Sequence, residues 1–116
     1  MNIYDKAHDL ANTLKTSDEY QAVLKTKQPL AADEAATKMI NDFFARQMEL
    51  EYAALSGAPE DKEKKEQLQK LIQLIQYNKV ALDYIQAQGR FQMMMKDIYK
   101  IIAESVAEGL DILEKK

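Results

Sequence analysis

The sequence predicts an all-α fold, specifically an antiparallel helical bundle of four to five helices with a long C-terminal helix. Ala, Glu, Lys, Leu and Gln dominate the 116 residues, and this composition favours helix. No segment alternates apolar and polar residues over a useful length, so we expect no strand. The connections between helical segments are short, which favours antiparallel neighbours.

The first helix is expected over Ile3–Lys15, with Asn2 as its N-cap. Thr16 and Glu19 match the capping-box pattern, so Thr16 is expected to begin a short second helix that ends at about Thr26. The apolar positions of the first helix follow i, i+4, i+7 spacing: Ile3, Ala7, Leu10, Ala11 and Leu14.

Proline and glycine divide the middle of the chain. Pro29 suits the first turn of a helix and breaks a helix interior, so a third helix is expected over residues 30–55. Gly57 and Pro59 mark the clearest break, and a fourth helix is expected over residues 60–77. The first half of this fourth helix is almost wholly charged, so we expect it to project into solvent.

Asn78 is the expected boundary before a final, unbroken helix over residues 80–113. Charged residues recur at every seventh position and form one narrow stripe, opposite an apolar face of roughly 200°. An ordinary surface helix has an apolar face of about 100°, so this helix should contact several neighbours. The charged stripe comprises Asp83, Arg90, Asp97, Glu104 and Asp111.

The apolar face of the last helix exceeds what the rest of the chain can cover, because the fourth helix is apolar along only half its length. We therefore expect a homo-oligomer, most simply a dimer, or a complex with related helical proteins or a larger regulatory assembly. The hypothetical interface consists of Phe91, Met94, Met95, Ile98, Tyr99, Ile102, Val106 and Leu113.

Length and composition limit the class of protein. The chain of 116 residues is expected to form a single domain over residues 1–116. Its net charge of −3 gives no general attraction to nucleic acid or anionic lipid, so neither is an expected direct partner. No signal peptide or apolar run long enough to span a membrane is visible, and we expect a cytoplasmic protein.

Residues suited to catalysis or metal binding are few, and we expect no catalytic residues, no metal, no cofactor and no enzyme. His8 is the only histidine and is expected at the surface or its boundary, and the chain has no cysteine. A metal-dependent enzyme would have to use the carboxylates of the last helix. The better interpretation of these carboxylates is that they form a solvent-exposed polar face. These carboxylates are Asp97, Glu104, Glu108 and Asp111.

A binding protein for a small molecule or lipid is the alternative function. Met93, Met94 and Met95 are adjacent, and methionine suits adaptable binding surfaces. Consecutive residues of a helix point 100° apart, however, so a core or interface role is favoured for them. The alternative requires a ligand-sized pocket lined by Phe91, Met94, Met95 and Tyr99.

Two stretches of the chain carry a family resemblance. The first contains Ile3-Tyr4-Asp5-Lys6-Ala7, Leu10-Ala11 and Ser17-Asp18-Glu19-Tyr20. The second contains Val80, Tyr84-Ile85-Gln86-Ala87-Gln88-Gly89-Arg90-Phe91, Asp97-Ile98 and Ile101-Ile102. With these residues the chain resembles the small bacterial YlbF/YmcA-type proteins over nearly its whole length, and most closely their YheA-like branch.

The resemblance implies an all-helical fold that associates into dimers or larger assemblies. It also implies a non-enzymatic regulator, of a kind linked to competence, sporulation, biofilm formation and messenger RNA processing. Some members of the wider family carry iron–sulfur clusters on cysteines. Because this chain contains no cysteine, that cofactor role is not carried over.

Overall fold

The computed structural model describes residues 2–110, and the described chain is helical almost throughout, with no strand. This architecture confirms the predicted all-α fold with its long C-terminal helix. The helices in chain order are α1 (Ile3–Lys15), α2 (Asp18–Ala31), α3 (Glu34–Leu55), α4 (Lys62–Gln76), α5 (Lys79–Ser105) and α6 (Ala107–Leu110).

A polar side chain caps the start of each of the five longer helices. Asn2 Oδ1 accepts a hydrogen bond of 2.8 Å from the Asp5 amide, as predicted for α1. Asn78 likewise accepts from the Ala81 amide at 3.0 Å and begins α5 at the expected boundary. These caps satisfy amides that have no partner within the helix, so the sequence itself determines where the helices begin. The remaining caps are Ser17, Asp33 and Asp61.

The prediction that Thr16 caps α2 was wrong by one residue. Thr16 instead ends α1, and its hydroxyl donates to the Thr13 carbonyl at 3.1 Å. Ser17 Oγ accepts from the Tyr20 amide at 3.1 Å and donates to the Leu14 carbonyl at 2.7 Å. Ser17 therefore joins the two helices, because its hydroxyl satisfies an orphan donor of one and an orphan acceptor of the other.

The prediction that Pro29 separates two helices was also wrong. Pro29 lies inside α2, which continues past Thr26 to Ala31, and α3 begins at Glu34. A proline in the last turn of a helix removes only one i→i−4 hydrogen bond, which tertiary packing of Leu30 can outweigh. Leu30 is buried in the core, and its carbonyl accepts a hydrogen bond of 2.6 Å from Thr37 Oγ1.

The final helix is interrupted, whereas an unbroken helix was predicted over residues 80–113. Val106 leaves the helical conformation, with φ −117° and ψ 8°, and separates α5 from α6. The preceding Ser105 donates its hydroxyl to the Ile102 carbonyl at 2.7 Å, and such side-chain bonds compete with the helical backbone pattern. Residues 111–113 of the predicted helix lie outside the described residues.

The core is a small junction where the end of α2, the start of α3, the end of α4 and the start of α5 meet. Ala36 and Ala81 are fully buried there, and their small side chains allow the helices to approach closely. The junction comprises Leu30, Ala36, Ile40, Leu71, Ile75 and Ala81.

Helices α2 and α5 form the largest helix–helix contact, and they run antiparallel. At one end of this pair Leu30 and Ala81 share the junction. At the other end the rings of Tyr20 and Phe91 lie 5.5 Å apart between centroids, inclined at 51°. The two helices run in opposite directions because Tyr20, near the start of α2, contacts Phe91, whereas Leu30, near the end of α2, lies beside Ala81 at the start of α5.

Helices α3 and α4 form the second antiparallel pair, as the charged start of α4 returns along the end of α3. Lys64 Nζ donates to Glu49 at 2.9 Å, and this hydrogen bond raises the pKa of Lys64 above its usual value. Arg46 donates to the Gln67 side chain at 2.7 Å. The start of α4 is exposed, as predicted, but these side chains hold it against α3.

The molecule is thin and extended for its mass. Its dimensions are 46 × 40 × 15 Å, and its radius of gyration of 18.2 Å exceeds the value of about 13 Å for a compact chain of this length. Its accessible surface is 9468 Å², whereas a folded monomer of 13.3 kDa exposes about 6,450 Å². Over residues 2–110 the two antiparallel pairs therefore meet mainly at the junction and along α3 and α5, and much of their surface stays exposed.

Replacing Ile75 tests whether the junction supplies the stability. Ile75 is 2% exposed, so Ile75→Ala should lower the free energy of unfolding by about 2–5 kcal/mol through lost burial and a cavity. Its neighbour Leu74 is 59% exposed, so the matched Leu74→Ala should cost less than about 1 kcal/mol. Urea denaturation followed by circular dichroism measures both, and equal losses would contradict the assignment of the core.

Replacing Pro29 tests the continuity of α2. Pro29→Ala restores an amide that can donate to the Lys25 carbonyl, and it should raise the free energy of unfolding by about 1–2 kcal/mol. Gln28→Ala, in the same exposed turn, should change it by less than about 0.5 kcal/mol. Thermal denaturation compares the two variants, and a destabilised Pro29→Ala would show that the ring is required in the turn.

Candidate interaction surface

The eight residues of the hypothetical interface fall into three groups in the structure. A half-buried group contains Phe91, Met94, Met95 and Ile98. An exposed group contains Tyr99, Ile102 and Val106. Leu113 lies outside the described residues.

Phe91 is half-buried by contacts within its own chain. Its ring contacts Tyr20 of α2, and together with Ala11 and Leu14 these side chains line an open depression of about 250 Å³. Phe91 therefore marks the point at which the end of α1 and the start of α2 meet α5. The part of α5 beyond this point has less cover.

The exposed apolar side chains at the end of the chain form a continuous patch, which we call the distal surface. Tyr99 is 74% exposed and Leu110 is 75% exposed, and all residues from 99 to 110 are exposed. Contiguous exposed apolar patches mark interaction sites in soluble proteins. The distal surface consists of Tyr99, Ile102, Val106 and Leu110.

The shape of the distal surface suits a partner helix. Tyr99, Ile102 and Val106 are spaced three and four residues apart, the spacing at which one helix packs along another. With Ala103, Ala107 and Leu110 they line an open groove of about 470 Å³. A helical segment this short is marginal in water by itself, so burial of its apolar side against a partner would stabilise it.

A second exposed apolar surface lies on α1 and was not recognised from the sequence. No residue of α1 is buried, and Ile3 and Tyr4 are 82% and 76% exposed. The i, i+4, i+7 pattern of α1 predicted an apolar side but did not show that the other residues of the range 2–110 leave it exposed. The α1 surface consists of Ile3, Tyr4, Ala7, Leu10 and Ala11.

The end of α3 carries further exposed apolar side chains, namely Met48, Tyr52 and Leu55. They adjoin charged groups that are already paired within the chain, since Arg46 bonds to Asp42 at 3.1 Å. This third region is therefore more polar than the distal surface or the α1 surface.

Three of the four residues proposed to line a ligand pocket are divided between two surface depressions, and Met94 lines neither of them. Phe91 lines the depression beside α1, whereas Met95 and Tyr99 line another between α3 and α5. The second depression is also lined by Gln88, Gln92 and Lys96 and is open to solvent. The structure thus brings Met95 and Tyr99 together but separates them from Phe91.

The candidate chemical residues lie on solvated faces. His8 is exposed on α1, as expected, and Asp97, Glu104 and Glu108 are exposed along α5 and α6. Over residues 2–110, no group of three His, Cys, Asp or Glu side chains is placed to hold a metal ion. In the same range, no helix combines the length and the apolar character needed to cross a membrane.

Curated relatives match the chain over nearly its full length. A UPF0342 protein of Desulfitobacterium hafniense is 36% identical over 97% of this chain and 90% of the relative. A UPF0342 protein of Clostridium tetani is 35% identical over the whole of both chains. The similarity therefore extends through both apolar surfaces rather than being confined to one segment.

Solved structures and a family description complete the comparison. A Bacillus stearothermophilus protein of unknown function (DUF964) has a TM-score of 0.75 at 19% identity, covering 97% of this chain and 98% of that one. Bacillus subtilis RicA, solved in complex with RicF, has a TM-score of 0.57 at 18% identity, covering 93% and 96%. Residues 3–107 match the family described as control of competence regulator ComK, YlbF/YmcA. The chain therefore belongs to the YlbF/YmcA family.

Proposed function

We propose that this protein is a non-enzymatic helical interaction protein that self-associates and serves as a subunit of a regulatory assembly. The observation that carries the proposal is its excess surface. The chain exposes 9468 Å², roughly one and a half times the surface of a compact monomer of its mass. A chain with so little intramolecular cover gains stability by burying that surface against another protein.

The position of the apolar residues supports self-association through the end of the last helix. Burying one large apolar side chain completely contributes about 1.5–3 kcal/mol, and the distal surface holds four in one patch. Most isolated apolar residues on protein surfaces need no explanation, whereas a contiguous patch does. We propose that a second copy covers the distal surface and that the functional unit is a dimer.

The comparisons support a regulatory role carried out through protein contacts. The family description concerns control of a competence regulator, and the structurally similar RicA is solved in complex with RicF. A cytoplasmic assembly with a second helical protein of this family is therefore part of the proposal. The assembly would act as a regulator by determining which proteins are brought together.

Charged side chains of the described chain support a structural role over catalysis. Asp83 pairs with Lys79 at 3.0 Å, and Glu49 pairs with Lys64 at 2.9 Å, both near the surface. Catalytic carboxylates are instead typically held in clefts beside groups that alter their protonation. We propose that these ion pairs keep the helices soluble and correctly paired.

Light scattering coupled to size-exclusion chromatography tests self-association at tens of micromolar protein. The expected mass is about twice the 13.3 kDa of one chain. Ile102→Glu should shift the protein to the monomer, because an unpaired charge within a buried interface costs several kcal/mol. Leu74→Glu, which changes an equally accessible leucine on α4, should leave the mass unchanged.

Circular dichroism should show the same helix content in both variants, which separates association from folding. A monomeric unaltered protein under these conditions would overturn the proposed self-association. A dimer that persists in Ile102→Glu would place the interface elsewhere.

A further inference from the structure

Hydrogen bonds from side chains close the corner between α1 and α2. α1 ends at Lys15 and α2 begins at Asp18, so only two residues separate the helices. Ser17 Oγ donates to the Leu14 carbonyl at 2.7 Å, and Gln21 Nε2 donates back to the Lys15 carbonyl at 2.9 Å. Carbonyls in the last turn of a helix have no partner within that helix. The corner therefore ties the end of α1 to the start of α2.

The Ser17 hydroxyl also connects the corner to α5. It donates to the Leu14 carbonyl and accepts from the Tyr20 amide at 3.1 Å. The side chains of the same two residues line the depression that contains Phe91 of α5. The Tyr20 and Phe91 rings lie 5.5 Å apart between centroids. One hydroxyl thus binds the backbones of two residues whose side chains meet Phe91.

The first turns of α1 have little packing to set their direction. No residue of α1 is buried, and Ile3 and Tyr4 are 82% and 76% exposed. Toward the end of the helix, Ala11 and Leu14 lie beside Phe91. Sharp bends in helices occur at proline, glycine or inserted groups, and α1 contains neither proline nor glycine. The direction of the whole helix therefore follows from how its last turn is held.

We propose that Ser17 is a positioning residue that couples the direction of α1 to the packing of Phe91 on α5. With both hydrogen bonds of its hydroxyl made, α1 projects at one angle and Leu14 stays against Phe91. Loss of the bond to the Leu14 carbonyl frees α1 to swing and withdraws Leu14 from α5. The corner is thus a conformational device that presents the exposed apolar side of α1 in one fixed direction. The coupling lies within a single copy and does not depend on self-association.

Two substitutions of Ser17 separate this coupling from simple capping of α2. A hydroxyl suits the position because one oxygen both donates and accepts. An ionised aspartate accepts from the Tyr20 amide and remains a good N-cap, but it has no proton for the Leu14 carbonyl. Threonine keeps both capacities. Ser17→Asp therefore removes the coupling while it retains the cap, and Ser17→Thr is its matched control.

Two spin labels measure the direction of α1, because the chain has no cysteine of its own. Asp5→Cys lies near the start of α1, and Gln86→Cys lies on α5, both at exposed positions. The labelled protein is mixed with an excess of unlabelled protein, so that double electron–electron resonance reports distances within one copy. The unaltered corner and Ser17→Thr should give one narrow distance distribution.

Ser17→Asp should widen or shift that distribution by about 7 Å, the displacement that a swing of about 20° gives a helix about 20 Å long. Gln21→Ala removes only the bond to the Lys15 carbonyl, so it should change the distribution in the same direction by a smaller amount. Ser56→Ala is the control at another helix end, since its hydroxyl donates to the Ala53 carbonyl at 3.1 Å. It should leave the distribution unchanged.

Nuclear Overhauser contacts between the Leu14 methyl groups and the Phe91 ring report the other end of the coupling. They should be present in the unaltered protein and in Ser17→Thr, and they should weaken in Ser17→Asp. Circular dichroism should show that Ser17→Asp keeps the helix content of α2, because its cap is retained. Gln21→Ala supplies the same comparison without any change at the cap.

The outcomes decide the role of Ser17 in either direction. A broad distribution in the unaltered protein overturns the fixed direction of α1. A distribution that stays narrow in Ser17→Asp, or becomes equally wide in Ser17→Thr, overturns the role of the hydroxyl. A wide distribution with unchanged contacts between Leu14 and Phe91 overturns the coupling to α5. A joint change in Ser17→Asp that Ser17→Thr does not show supports the proposal, and self-association is unaffected by any of these results.

Discussion

Packing at one small junction holds the whole chain together. Ile40, Ile75 and Ala81 are almost completely buried where four helix ends meet, and the two antiparallel helix pairs extend from this point. Two fully buried alanines in the junction allow close approach but contribute little apolar area of their own. The fold therefore has a buried centre, and the parts of its long helices that lie farther from this centre are less buried.

The exposed ends follow directly from that constraint. α5 is 27 residues long, about 40 Å, whereas α2, its main partner in the chain, has only 14 residues. The length mismatch leaves the distal surface beyond the reach of α2, and only the end of α1 reaches α5, where Ala11 and Leu14 lie beside Phe91. This exposed end of α5 is the feature on which the proposed self-association rests.

Local hydrogen bonding explains which boundaries could be predicted. Asn2 and Asn78 cap helices at the predicted positions because each side chain acts on an amide three residues away. The prediction at Pro29 was wrong because burial of Leu30, a tertiary effect, outweighed the loss of one helical hydrogen bond at the proline. The break at Val106 was missed because the wide apolar face continues through it, while the competing Ser105 bond is a purely local detail.

The sequence by itself determined the helical class, the family resemblance and the apolar sides of the first and last helices, because helical periodicity and capping are local properties. Only the tertiary structure decided which apolar residues are covered. Phe91 packs against Tyr20 within the chain, whereas Tyr99 and Ile102 on the same helix are exposed. Periodicity shows that a face is apolar, but its cover depends on the lengths and directions of the other helices, which are settled only when they pack.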